Sequence, residues 1–207
     1  FGARYSRGNC YALMEDITLV GGRFLTEQDT ISNLDAASEI VRGIGRLHGA
    51  FWGRAQSLGK RLIWQNDPVL CMTAEFFRFG WEKFVERCEQ CNIDLPEDLA
   101  SRGQLLFPVA NRLHDCMGFE PTTLVHGDCH LENSFFVDSD QSDAGFELGI
   151  YDFQLLRRGK GALDLASYLG GSFDLGLVVT HLDELLELYL DTVAATRAST
   201  PVHADAD

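Results

Sequence analysis

No stretch of the 207-residue sequence stays apolar for the roughly 18 residues that a membrane-spanning helix needs, and its opening residues lack a basic segment followed by a hydrophobic one. The reading is a soluble, cytoplasmic chain with no membrane partner. Basic residues are few, 17 Lys and Arg against 31 Asp and Glu, so the formal net charge is −14. Nucleic acid is thereby excluded as a natural partner, because a basic surface must replace its counterions. Internal repeats and Pro-rich or Gly/Ser-rich linkers are missing too. The six cysteines are scattered without a secretory signal, which argues against a disulfide framework. Cys88 and Cys91 form a CxxC with no second pair. Both continue an apolar stripe through Phe77, Trp81 and Phe84, so packing rather than metal is expected of them.

What is present reads as one domain-sized chain, mostly helical. "ARYSRGNCYALMEDI" reads as two short strands joined at Arg7-Gly8-Asn9. Leu34, Ala37, Ile40, Val41, Ile44, Leu47 and Phe51 recur at helical spacing after Ser32, a candidate cap. Further helices are expected near 74–91 and 102–117, with Asn92, Asp94 and Pro96 marking the turn between them. After Pro121 the pattern changes to short apolar runs, "TLV", "SFFV" and "FELGIYDF", the last two separated by the turn-rich "DSDQSDAG". Helix returns at "GALDLASYLG" and "THLDELLELYLDTVAA".

The chemistry sits in "LVHGDCHLENSFF", residues 124–136. His126, Asp128 and Asn133 lie in a loop between two strands, and Asp152 follows the next apolar approach, "LGIYD". A hairpin brings these positions together. Mg²⁺ prefers oxygen ligands and keeps waters while bridging substrate phosphates. Asn133 and Asp152 supply such oxygens, which leaves Asp128 as a base or orienting group for an attacking hydroxyl. Taken alone, His126 and Asp128 would read as turn caps bonded to the backbone. Asn133 five positions on and Asp152 on a following strand tip the reading toward function. His48, beside Leu47 and Phe51, reads as a satisfied, semi-buried helix residue, and the charges of "RRGKG" as a solvated loop.

"HGDCHLEN" resembles the HGDxxxxN catalytic loop of the aminoglycoside phosphotransferase and choline kinase-like superfamily, a relative of the protein-kinase HRDxxxxN loop. "YDFQLLRRGKGALDLASYLGGS" is similar to the segment that follows there, and "DFQ", "LMEDI" and "RLHGAFW" look most like the ecdysteroid kinase-like branch. The likeness covers roughly residues 5 to 190 in one order. It implies an α+β fold: the mainly helical C-terminal lobe of a protein-kinase-like fold, with a small catalytic β-hairpin and a residual hairpin of the ATP-binding lobe. Residues 1–22 would be that remnant and hinge. Residues 23–207 would be the helical lobe, with the catalytic loop at 124–137 and the metal-binding segment at 148–172. The resemblance further implies ATP and Mg²⁺ as cofactors, a small-molecule hydroxyl as substrate, Asp128 as catalytic base, and Asn133 and Asp152 as metal ligands. It gives His126 and Asp164 the task of bracing the loop, and Met14, Glu15, Asp16 and Ile17 the hinge whose backbone reads adenine. Arg157, Arg158 and Lys160 follow the metal aspartate, where one of them could meet phosphate.

The sequence departs from that family in one respect. Only sixteen residues precede Ile17, and they hold neither a glycine-rich loop nor a strand lysine. With Phe1 in place of a Met, the expectation is a fragment of a longer protein that by itself binds Mg-ATP poorly and turns over little. Two rival functions stand beside the small-molecule kinase. One is a pseudokinase-like binding or scaffold module; the other is a metal-dependent hydrolase using the alternating His126, Asp128 and His130. The acceptor stays open, since the aromatic Phe76, Phe77, Phe79 and Trp81 favour a ring-bearing ligand and the net charge favours a cation.

Overall fold

Helix and strand alternate along the chain much as the spacing of apolar residues dictates. The computed structural model describes residues 2–6, 9–13, 15–26, 30–55, 74–103, 105, 119–142 and 144–200. In order these form β1 (Gly2–Ser6), β2 (Asn9–Leu13), β3 (Arg23–Phe24), α1 (Leu34–Phe51), α2 (Ala74–Gln90), α3 (Glu97–Gly103), β4 (Thr123–Val125), β5 (Ser134–Asp138), β6 (Phe146–Ile150), β7 (Arg157–Gly159), α4 (Ala162–Gly171) and α5 (Leu175–Ser199). The fold is α+β, with long helices and small antiparallel sheets. The expected helix over 102–117 falls mostly outside the described residues; within them, α3 begins earlier, at Glu97 just after Pro96. Among the described residues no helix is long and apolar enough to cross a membrane.

The chain divides into two units, Phe1–Ala50 with His126–Leu155 and Ala162–Asp207, and Phe51–Val125 with Leu156–Gly161. In the first, β1 and β2 pair with Ser6 opposite Asn9; Arg7 and Gly8, the expected turn, lie outside the described residues. A second sheet, in the order β3-β5-β6, sets Phe24 opposite Phe135 and Ser134 opposite Ile150. The core of this unit is built on α1, whose Ala37, Ile40, Val41 and Ile44 are fully buried. Asn33, rather than Ser32, caps that helix, accepting from the N–H groups of Asp35 and Ala36 at 2.7 and 3.2 Å. Glu39 on the same buried face is a carboxylate that periodicity alone would not place inside. It is matched by Arg46 at 2.6 Å, Arg42 at 3.7 Å and the hydroxyl of Ser142 at 3.2 Å, so its burial leaves no lone charge. Helix α5 lies close to α1 through glycines: a Cβ on Gly45 would meet Thr192 at 2.9 Å, and one on Gly49 would meet the Val193 carbonyl at 2.7 Å.

In the second unit, β4 pairs with β7, Leu124 opposite Arg158 and Val125 opposite Arg157. "RRG" is therefore a strand and not the solvated loop its charges imply, because the fully buried β4 offers it backbone partners. Lys160 donates to the carbonyls of Phe119 and Pro121, the latter at 3.0 Å. On α2 the apolar stripe is only partly inward. Cys88 is buried, Cys91 is exposed, and Trp81 and Phe84 stack on each other at 5.7 Å. The side chains of Phe76 and Phe77 lie outside what is described, while Phe79 is exposed.

Candidate active site

The loop from His126 to Asn133 alternates between inward and outward positions. His126, Cys129, Leu131 and Asn133 are buried, while Asp128 and His130 are part-exposed. The buried apolar members anchor the loop and leave its carboxylate at the surface. Gly127 sits at φ +88°, a left-handed conformation that favours glycine, and this turns its N–H inward. That N–H and the N–H of His126 both point at the carboxylate of Asp164, at 3.0 and 2.7 Å. Asp164 opens α4 and is fully buried. Burial pushes its carboxyl upward, but the His48 hydrogen bond and charge, with the Gly127 and His126 backbone bonds, outweigh burial and hold it below the ordinary carboxylate range.

His48 is the residue that sequence reasoning undervalued. It is wholly buried, with Nε2 3.2 Å from Asp164 Oδ2 and Nδ1 2.8 Å from the hydroxyl of Tyr189 on α5. Burial, and then the Asp164 charge, drive the Tyr189 phenol up from its usual value. Burial also raises the Cys129 thiol, with Asp164 again contributing, so that cysteine is inert packing next to Asp128. No local signal marks His48; its partner is 116 residues away.

His126 itself stitches the loop to the residues just after β6. Its Nε2 donates to the Tyr151 carbonyl at 2.7 Å, and Nδ1 accepts from the Asp128 N–H at 3.3 Å, which assigns the ring proton to Nε2. Tyr151 is held twice more: its N–H donates to the Asn133 carbonyl at 3.1 Å and its hydroxyl to the Glu132 carbonyl. Asp152 follows immediately. It lies just beyond β6 rather than on it, exposed, at φ +60°, a conformation that aspartate tolerates better than most side chains. Its Oδ2 accepts from Gln154 at 3.2 Å.

Asn133 ends the short 3₁₀ turn Leu131–Asn133. Its amide nitrogen donates to the Asp128 carbonyl at 3.0 Å, with Asp128 Oδ2 at 3.3 Å and His130 Nε2 at 3.0 Å. Among the described residues nothing bonds to Asn133 Oδ1. The structure thus brings Asp128, Asn133 and the Tyr151–Asp152 backbone to one corner of the β5–β6 hairpin, with His126 and Asp164 behind it. The donors on offer, an amide oxygen and a carboxylate, suit a hard cation such as Mg²⁺. Among the described residues no three His, Cys, Asp or Glu cluster as ligands for a metal, and both nitrogens of His126 are engaged by Tyr151 and Asp128.

At the expected hinge Met14 lies outside the described residues. Glu15 and Asp16 are exposed, and Ile17 starts a 3₁₀ turn, Ile17–Val20. Asp16 caps that turn by accepting from the Thr18 hydroxyl at 2.6 Å and its N–H at 3.0 Å; these bonds hold its carboxyl below its ordinary value.

A buried aspartate gripping an HGD loop, followed by a hairpin that carries an asparagine at its start and an aspartate just past its end, has the features of the kinase-like phosphotransferase superfamily. The chain belongs to the ecdysteroid kinase-like family, whose model matches residues 1–200. A comparison with curated proteins found no match.

Proposed function

We propose that this protein transfers the γ-phosphoryl group of ATP to a hydroxyl of a small molecule, with Asp128 as the base and Asn133 and Asp152 as the ligands of Mg²⁺. One observation supports the reading: Tyr151, the residue before Asp152, bonds the backbone carbonyl of Asn133, whose side-chain oxygen has no partner among the described residues, while the part-exposed Asp128 is tied to the Asn133 amide nitrogen. Bound Mg²⁺ would neutralise charge on the phosphate oxygens. The chain itself supplies position. Asp128 accepts or orients the hydroxyl proton, and Asp164 and His126 keep its backbone in place, so that alignment does most of the work. Phe24, Phe135 and Tyr151 form a cluster of rings 5.5 to 6.3 Å apart beside Asn133, which offers a purine a face on which to stack.

The test is phosphoryl transfer and Mg-ATP binding by the protein and its variants. Asp128→Ala is expected to lower transfer by about 10²- to 10⁴-fold, the range for losing a general base, with Mg-ATP still bound. Asp152→Ala is expected to abolish the Mg²⁺ dependence of binding. Nucleotide binding without any transfer would assign a scaffold role instead. Full activity in both variants would end the proposal.

A further inference from the structure

His130 lies between Asp128 and Asn133 and has no part in the proposed transfer. Its backbone is well anchored although its side chain is 39% exposed. The His130 carbonyl accepts from the Asn133 N–H at 3.1 Å and the Ser134 hydroxyl at 2.9 Å, and Ser134 in turn bonds the buried hydroxyl of Tyr168. The ring therefore hangs from a point tied to the core. Its Nε2 lies 3.0 Å from the Asn133 amide nitrogen and 3.8 Å from Asp128 Oδ1.

An amide nitrogen carries two hydrogens and accepts nothing. One hydrogen of Asn133 serves the Asp128 carbonyl and carboxylate, and the other meets His130 Nε2. For that contact to bind, Nε2 must be bare, with the ring proton on Nδ1. Rotating the amide by half a turn would set its oxygen against the carbonyl and carboxylate oxygens of Asp128, and an imidazole that keeps Nε2 bare adds one more acceptor to that clash. We propose that His130 is a positioning residue that locks the Asn133 amide with Oδ1 turned outward, as the oxygen a divalent cation needs. This rests on the nucleotide reading of the site. Without the imidazole the amide loses one of its two anchors, and its oxygen is free to turn away.

Two readouts test this. In the metal-free protein, the side-chain NH₂ resonances of Asn133 are expected to exchange slowly with solvent. They should do so in His130→Gln as well, because the glutamine oxygen reaches the place of Nε2 and accepts, and they should exchange faster in His130→Leu and His130→Lys. Calorimetric titration of Mg²⁺ with a non-hydrolysable ATP analogue should then show affinity lowered by about 10- to 100-fold in the Leu and Lys variants, the usual loss for a partner behind a metal ligand, and restored by Gln. Rescue by Lys and not by Gln would overturn the proposal and make His130 a cationic contact to phosphate; so would unchanged exchange and affinity in the Leu variant. If the wild type binds no Mg-nucleotide while the amide signals behave as expected, the orienting role stands and the nucleotide reading falls.

Discussion

The carboxylate of Asp164 reaches the backbone N–H of His126 across 2.7 Å, from a residue 38 positions further along the chain. That bond, its twin to Gly127 and the contact with His48 make one buried oxygen pair the support for the start of the HGD loop.

Removing it should be costly. Asp164→Ala strands two backbone donors and one imidazole in the interior, each worth about 1 to 3 kcal/mol when left without a partner. Urea unfolding is expected to show a loss at the upper end of that range or beyond. His48→Ala should follow in the same direction but with a smaller loss, because the backbone bonds to Asp164 remain.

Acid should expose the same group. The folded-state carboxyl lies below its unfolded value of about 3.9, so its stabilisation is present above about pH 4 and is lost as the pH falls through the folded value. Wild type and Asp164→Asn, compared by urea unfolding from pH 6 down to pH 3, should differ most at pH 6 and converge toward pH 3. A gap independent of pH would contradict this.

The left-handed backbone at Asp152 separates its geometry from its charge. Asp152→Gly relieves the conformation and should fold at least as stably as wild type. Asp152→Val forces a β-branched side chain into it and should cost about 1 to 3 kcal/mol. Both variants are expected to lose Mg²⁺-dependent nucleotide binding. Thermal unfolding with and without Mg-ATP reads the two effects independently.

Two helical glycines should respond with opposite signs. In Gly49→Ala the new methyl meets the Val193 carbonyl at 2.7 Å, a backbone atom that cannot step aside. The overpacking cost of about 1 to 3 kcal/mol then exceeds the roughly 1 kcal/mol that alanine adds to a helix. Gly80 on α2 has nothing within 4 Å of the same position, so Gly80→Ala should gain stability by about 1 kcal/mol. Urea midpoints of the two variants should move apart.

Much of this was legible in the order of the residues. The stripe of α1, the β5–β6 hairpin around "DSDQSDAG" and the placement of Asp128 and Asn133 in a loop follow from periodicity and turn chemistry, which act over a few residues. The cap at Asn33, one residue after Ser32, was a near miss between two competent capping side chains. Strand β7 was hidden because its charged residues resemble a loop, and its ladder depends on β4, more than thirty residues upstream. Tyr151 looked like an apolar lead-in to Asp152, although it carries three of the bonds that join the two halves of the site.

By itself the sequence determined the residues of the candidate site, an HGD loop and an aspartate after an apolar strand, and the helical or extended habit of most described segments, because those depend on side-chain type and local spacing. Only the tertiary structure decided that His48 and Tyr189 stand behind Asp164, that Glu39 is buried among arginines, and that the Asn133 amide nitrogen meets both Asp128 and His130. These depend on contacts between distant parts of the chain, where burial leaves each polar group dependent on whichever partner the fold brings to it.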